Sequence, residues 1–278
     1  MKSIFVPTDF SACAANATHA AIELAAAYQA TLHLHTIIDL PQGSPGMEKS
    51  QNAETNQAIH NAELLLKEWE GIAKEKNAPI KTGWATGNLI TFTEAFTQSN
   101  NIDFVVMGSH GASGKNEYFL GSNTQKVVRR IHCPVLIIKE ELKDYKIKNV
   151  VFASNFNSSD KRSFQYLLDF VKIFKPNIHL TQVNTSSWFR EPYVLVKAAM
   201  EDFKNMAKVM DIPCRTYFQR DWSIDAGIRH LSDELGADLI AISNEKRHPI
   251  KRIFSGSNVE ALVNHAEIPI LSIDFKDS

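Results

Sequence analysis

Two spacings of apolar residues alternate along the chain. Short apolar runs such as 3–7 and 32–38 are rich in residues that favour β-strands. Between such runs, apolar residues recur at the i, i+3, i+4, i+7 spacing of one helical face. The first predicted helix carries Ala17, Ala20, Ala21, Leu24, Ala25 and Tyr28. Ser11 is placed to cap its start. Strands that alternate with helices predict a parallel sheet with right-handed crossovers and helices on both faces.

This pattern occurs twice. Three pairs of segments match at an offset of 135 residues: 102–111 with 237–246, 119–123 with 254–258, and 133–138 with 268–273. Nearer the N-terminus the offset is 146, as between 31–34 and 177–180. The second repeat is therefore expected to be shorter by 11 residues, lost somewhere between about 39 and 78. We predict two tandem α/β domains, 1–140 and 146–278, each a doubly wound five-stranded parallel sheet. A short charged tether at 139–147 joins them.

Composition narrows the class of protein. The 278 residues suffice for two domains of common size. With 30 Lys and Arg against 31 Asp and Glu, the net charge of -1 argues against nucleic acid and membrane surfaces as partners. No apolar run reaches the ~20 residues of a membrane span, and the N-terminus does not resemble a signal peptide. Cys13, Cys133 and Cys214 lack the spacing of a disulfide framework or zinc site. The sequence predicts a cytoplasmic protein.

The most informative stretch is MGSHGASGKNEYFLGSN at 107–123. Gly108 follows an apolar strand, and Gly121-Ser122 comes directly before a predicted helix. Glycines let a backbone approach phosphates closely, and the N–H groups at a helix start face an anion favourably. A tight turn without a ligand explains the glycines about equally well on spacing alone. The stretch is neither a Walker loop nor a Rossmann fingerprint.

The spacing G-x2-G-x9-G-[ST], within VVMGSHG, LGSN and CPVLII, resembles the ATP-binding branch of the universal stress protein family. The opening VPTDFS is similar to the family's first strand and turn. The resemblance covers both halves and implies an adenine nucleotide alpha hydrolase-like fold of strand order 3-2-1-4-5. It also implies ATP, with Mg²⁺ at the phosphates, bound where the first and fourth strands meet. The residues that it implies as nucleotide contacts are Asp9, the Thr36 backbone, Met107, Gly108, Gly111, Gly121, Ser122 and Asn123.

Other residues of this region have two interpretations. His110 is a candidate general base, but a solvent-facing loop histidine fits better because no acid nearby orients it. Lys115 either reaches a phosphate or is a solvated charge. The irregular segment 40–52 either folds over the nucleotide or is a disordered excursion.

Three functions fit this sequence. We expect a nucleotide-dependent regulator in a stress response, with no catalytic residue and no protein metal ligand. A hydrolase or nucleotidyl transferase on the same scaffold is the alternative, but the motifs of such enzymes do not occur. A dimerisation module without a ligand is the third possibility, and the intact glycines of the first half argue against it.

The second half keeps the length of the loop but not its chemistry. Gly108 is replaced by Ser243, Gly111 by Lys246 and Asp9 by Asn155. Glu245 adds a negative charge where phosphates would lie. We therefore predict that this half does not bind ATP in the same manner. Its retained Gly256-Ser257 and its basic residues, Lys246, Arg247, Lys251 and Arg252, are either solvated or reach a partner or another anion.

The last strands of the halves, PVLII and PILSI, are both apolar. Such strands would leave unpaired edges, which natural proteins avoid. We predict that the halves form an internal pseudo-dimer through these strands, an arrangement compatible with a further homodimer.

Overall fold

The structure, a computed structural model, describes residues 1–39, 48–109, 121–140, 146–185, 193–243 and 252–275. Strands and helices alternate in both halves, as the apolar spacing predicts. The first half comprises β1 (Ser3–Thr8), α1 (Ala12–Tyr28), β2 (Thr31–Ile38), α2 (Glu48–Glu75), β3 (Ile80–Thr86), α3 (Leu89–Ser99), β4 (Phe104–Gly108), α4 (Ser122–Arg130) and β5 (Val135–Ile138). The second comprises β6 (Asn149–Ala153), α5 (Asp160–Val171), β7 (Asn177–Asn184), α6 (Tyr193–Val209), β8 (Cys214–Arg220), α7 (Ile224–Leu235), β9 (Leu239–Ser243), α8 (Arg252–His265) and β10 (Ile270–Ile273).

The first of two compact units contains β1 to β4, α1 to α4 and the end of β5 at Ile138. Its strands are parallel in the order β3-β2-β1-β4. The Ser109 N–H, directly after β4, donates to the Ile138 carbonyl at 2.9 Å, so β5 follows β4. The predicted order 3-2-1-4-5 is confirmed. A doubly wound sheet of this kind has its switch point between β1 and β4, where the two directions of winding diverge.

The second unit contains β6 to β10, α5 to α8 and the residues 134–137 of β5. Its strands β8-β7-β6-β9-β10 are parallel and repeat the order of the first unit. β5 pairs with β10 in the antiparallel direction, with Ile137 opposite Ile270. All four residues of β10 are buried, which explains the apolar character of this last strand.

The core of each unit lies at its central strands. Six residues of β1 and β4 are fully buried: Ile4, Phe5, Val6, Phe104, Val105 and Val106. The equivalent residues of β6 and β9 are also fully buried: Val150, Val151, Phe152, Leu239, Ile240 and Ala241. Parallel strands covered by helices on both faces are apolar without interruption, which is why these segments do not alternate.

The duplication is visible in backbone details as well as in element order. Phe10 and the aligned Phe156 both adopt the left-handed conformation, with φ of 58° and 57°. Non-glycine residues seldom do so. In each unit a hydroxyl two residues earlier accepts the N–H of that phenylalanine: Thr8 Oγ1 at 3.0 Å and Ser154 Oγ at 2.7 Å. The two domains therefore share the same turn after the first strand.

The length difference between the repeats lies largely in one helix. α2 has 28 residues, whereas α6 has 17. α2 begins at Glu48, so the end of the segment predicted to be irregular, 40–52, is helical instead. Its earlier part, 40–47, lies outside the described residues. In the ranges that the structure describes, no helix is both long and apolar enough to cross a membrane.

Candidate functional site

A cavity of about 220 Å³ opens in the first unit at the carboxyl ends of β1, β2 and β4. Its wall is completed by the first turns of α3 and α4. Ligands of doubly wound folds bind at this edge, beside the switch point. The fold thus creates a concave site where the sequence predicted one.

Six of the eight predicted contact residues line this cavity: Asp9, Met107, Gly108, Gly121, Ser122 and Asn123. Thr36 is buried within β2, opposite Thr8 on β1 and Trp84 on β3. Among the described lining residues, the β2 side is represented by Ile37 and Asp39 rather than by Thr36. Gly111, His110 and Lys115 lie outside the described residues.

Gly108 has a packing role that sequence reasoning missed. A Cβ added to it would lie 2.7 Å from both the backbone carbon and the carbonyl oxygen of Cys13. Cys13 lies in the first turn of α1, and its Sγ is 3.6 Å from the Ser109 Oγ. Because backbone atoms cannot move aside as a flexible side chain can, only glycine lets the start of α1 approach the end of β4 this closely.

The start of α4 has its N–H groups available. Gly121 is the N-cap residue and provides no side-chain acceptor, and no acid occurs in the first turn. The Gly121 N–H is itself used, since it donates to the Ser109 carbonyl at 2.7 Å. The first N–H groups of a helix lack intrahelical acceptors. The N–H donors for an anion are therefore those of Ser122 and Asn123.

The other two helix starts near the cavity are capped. In α1 the Ser11 side chain accepts the Ala14 N–H at 3.2 Å, as predicted. In α3 the Asn88 Oδ1 accepts the N–H of Ile90 at 2.9 Å. Asp9 supports the turn before α1, where its Oδ1 accepts the Ser11 N–H at 3.0 Å. Of these three helix starts, α4 alone has no side-chain cap, so its first N–H groups are the ones open to an anion.

Acidic and basic residues lie on different sides of the cavity wall. Asp9 and Asp39 follow β1 and β2, whereas Lys126 lies on α4, beyond the end of β4. Asp39, Asn88 and Lys126 were not predicted as site residues. Asp39 was recognisable as the residue after a predicted strand, and Lys126 as the residue one helical turn after Ser122. Asn88 required the packing of β3 against β2, which the sequence does not show.

At the equivalent edge of the second unit, side chains form hydrogen bonds with one another. At the offset of 146, Ala14 on the cavity wall corresponds to Asp160, which is only 4% exposed. The Asp160 carboxylate accepts hydrogen bonds from Ser154 Oγ at 2.7 Å, Ser243 Oγ at 2.8 Å and the Asn157 N–H at 3.1 Å. Ser243 is the residue aligned with Gly108. The two replacements together form one buried polar network.

The helix that follows also begins differently. α4 begins at Ser122, directly after Gly121, whereas α8 begins at Arg252 and already contains the aligned Gly256 and Ser257. Backbone N–H groups inside a helix donate to the preceding turn and are not free for an anion. Glu245, Lys246, Arg247 and Lys251 lie outside the described residues.

One histidine of β2, His35, also distinguishes the units, because the aligned residue of the second unit is Thr181. Burial, assisted by the neighbouring His33, lowers the pKa of His35 to about 4. A Cβ on Gly83, the β3 residue opposite, would lie 2.7 Å from the His35 Nε2. In the second unit Thr181 lies opposite Tyr217, so the large and small residues have exchanged strands.

Two tandem doubly wound α/β domains, one with an open cavity at its switch point, define the class of protein. The model of the Universal stress protein family matches residues 1–139 and 146–273. The chain belongs to this family.

Some relatives match one half of this chain, and others match nearly all of it. Universal stress protein MJ0531 of Methanocaldococcus jannaschii is 28% identical over 145 residues, covering 51% of this chain and 85% of that protein. MJ0577 of the same organism is 29% identical over 159 residues, covering 50% and 96%. A solved universal stress protein from Archaeoglobus fulgidus matches 98% of both chains with a TM-score of 0.78 at 18% identity, a likeness that shows the fold.

Proposed function

We propose that the first domain binds ATP and that the protein acts as a nucleotide-dependent regulator in a stress response. The observation that supports this most is the cavity at the β1–β4 switch point, with the uncapped start of α4 on its wall. A pocket at this position with a few converging polar groups is the usual form of a ligand site in such folds.

The cavity is suited to a ligand with one neutral and one anionic end. In the proposed orientation the phosphates lie at the N–H groups of Ser122 and Asn123. The adenosine lies towards β2, where Asp9 accepts hydrogen bonds from it and the Thr36 backbone reaches the adenine. Met107 and Gly108 line the path between, and Gly111 completes the phosphate site. The roles of Thr36 and Gly111 rest on the family resemblance.

Mg²⁺ is proposed to accompany the phosphates. Within the described ranges there is no group of three or more His, Cys, Asp or Glu side chains arranged for a metal. Mg²⁺ is commonly held by substrate phosphates, water and one or two carboxylates rather than by a protein cage. The phosphates and water can therefore hold the ion here without a ligand from the protein.

Calorimetric titration with ATP and Mg²⁺ tests the proposal. We expect one site per chain, because in the second domain Asp160 and Ser243 replace Ala14 and Gly108 of the cavity wall. In Gly121→Val the side chain projects at the start of α4, and affinity should fall at least about thirtyfold, or 2 kcal/mol. The backbone there, with φ of -56° and ψ of 140°, is open to valine, so thermal unfolding should change little.

Three results would count against this function. Unchanged affinity in Gly121→Val would contradict the site, and two sites per chain would contradict the loss of binding in the second domain. Phosphate release from ATP at a steady rate, lost in Gly121→Val, would favour the alternative of an enzyme on this scaffold.

We further propose that the domains, bounded at 1–140 and 146–278, form an internal pseudo-dimer through their last strands. The antiparallel register of β5 and β10 in the second unit supports this arrangement. The fragment 1–140 should then self-associate in sedimentation, since β5 would lack its partner. A strictly monomeric fragment at high concentration would contradict it. The cytoplasmic location and the absence of a nucleic-acid partner remain predictions.

A further inference from the structure

Lys126 lies on the cavity wall one helical turn after Ser122. Residues four apart share a face of a helix. A long helical side chain also leans back towards the helix N-terminus. The ammonium group of Lys126 is therefore directed towards the first turn of α4, where the N–H groups of Ser122 and Asn123 lie.

The charge of Lys126 is available to a ligand. Its side chain is exposed, and no salt bridge within the described part of the chain involves it. Among the described residues that line the cavity it is the one Lys or Arg, with Asp9 and Asp39 as the acids. A single cation beside an uncapped helix start strengthens the attraction for an anion with several negative charges.

We propose that Lys126 determines specificity by selecting ligands with an extended polyphosphate over those with one phosphate or none. This proposal rests on the proposed nucleotide site and identifies Lys126 as the residue that recognises the polyphosphate. The second domain carries Ala261 at the aligned position, three residues after the matching GSN segment of the repeat. Lys126→Ala thus gives the first domain the residue of the domain that we expect not to bind.

The test measures the affinity of the full chain for ATP, AMP, adenosine and tripolyphosphate by calorimetry. In Lys126→Ala the Kd for ATP should rise about tenfold, as expected for one partly exposed charged contact to phosphate. The Kd for adenosine should stay the same, and AMP should change less than ATP. Lys126→Arg should keep most of the ATP affinity, and the loss in Lys126→Ala should shrink at high salt.

Lys74→Ala is the matched control, because Lys74 is an exposed lysine near the end of α2 that does not line the cavity. It should leave every affinity within about twofold. An equal loss for adenosine and ATP in Lys126→Ala, or no loss for ATP, would overturn the proposal.

The two proposals fail in different ways. Wild-type protein that binds neither ATP nor adenosine would refute the proposed function. Tripolyphosphate binding that still depends on Lys126 would then support its role in reading a phosphate chain. Tripolyphosphate binding that is equal in wild type and Lys126→Ala would refute it.

Discussion

Near the start of its first helix, the first domain has Ala14 on the wall of an open cavity, whereas the second has the buried carboxylate of Asp160 at the aligned position. Opposite these residues the end of the fourth strand carries Gly108 in one domain and Ser243 in the other. Glycine lets α1 approach the end of β4 closely, and serine donates to Asp160 at 2.8 Å. The same backbone turn, with its left-handed phenylalanine, can therefore hold either a ligand space or an internal polar network.

A second exchange, further inside the sheet, follows the same rule. His35 faces Gly83 in the first domain, and Thr181 faces Tyr217 in the second. In each pair a large residue lies opposite a smaller one, so the two side chains together fill the space between the strands without clashing. The residue at one of these positions therefore depends on the residue opposite it. Substitutions at single positions test this dependence.

The largest loss of ATP affinity is expected when Ala14 of the first domain is replaced by Asp, the residue at the aligned position of the second. Ala14→Asp should lower ATP affinity at least about a hundredfold, or 2.7 kcal/mol. Its charge would face the phosphates, and glycine at 108 offers it no hydroxyl. Ala14→Asn, which has similar bulk without charge, should lose much less in calorimetry. Equal losses in the two variants would show that bulk, not charge, closes the site.

Removing the carboxylate of the second domain should destabilise that domain. Asp160→Ala leaves Ser154 and the Asn157 N–H without their acceptor and Ser243 with Ser163 alone, at an expected cost of about 2–3 kcal/mol. Urea unfolding followed by circular dichroism measures the loss in the transition that ATP does not shift.

The control for this variant is Asp202→Ala in the same domain. Asp202 forms an exposed ion pair with Lys161 at 2.7 Å and should cost about 1 kcal/mol or less. Comparable costs for the two variants would argue that the buried network contributes no more than a surface pair. No new ATP site is expected in Asp160→Ala, because α8 begins before the retained glycine.

The close approach of α1 and β4 is tested by adding one methyl group. Gly108→Ala should destabilise the first domain by about 1–3 kcal/mol, because its Cβ meets the Cys13 backbone. Gly71→Ala is the matched control, since a Cβ there meets nothing within 4 Å and the position is helical. It should stabilise by about 0.5–1 kcal/mol. Thermal unfolding that changes in the same direction for both variants would contradict the packing role of Gly108.

The smallest effect is expected for the stability of the folded protein at low pH. The pKa of His35 is lowered to about 4 in the folded protein from its ordinary value of 6.5. The unfolded chain thus binds more protons between these values, so stability is complete above pH 6.5 and falls as the pH drops towards 4. The double variant His35→Thr/Gly83→Tyr copies the second domain and should reduce that loss by about 1 kcal/mol.

Unfolding of this double variant at pH 7 and pH 4.5 provides the measurement. The single variant His35→Thr is the control, because it should leave a void beside Gly83 and lower stability at both values. A pH dependence equal to that of the wild type would show that folding does not lower the pKa of His35.

Much of the candidate site was predictable because the chemistry lies next to recognisable strand ends. Asp9, Met107, Gly108 and Gly121 follow or precede apolar runs, and they meet because the carboxyl ends of β1 and β4 are neighbours. The contact expected from the Thr36 backbone stays a prediction, and the described wall on the β2 side consists of Ile37 and Asp39. The position of a cavity along a strand depends on register, which apolar spacing does not fix.

The sequence by itself determined the duplication, the alternation of strands and helices, and the loss of the phosphate-site glycines in the second half. These properties depend on periodic or local features of the sequence, so they can be recognised from the order of the residues alone. The tertiary structure decided that Asp160 bonds with Ser243, that Gly108 serves the approach of α1, and that Lys126 reaches the cavity wall. Each of these facts joins residues far apart in the chain. Contacts of that kind depend on how the strands and helices pack, which residue order alone does not specify.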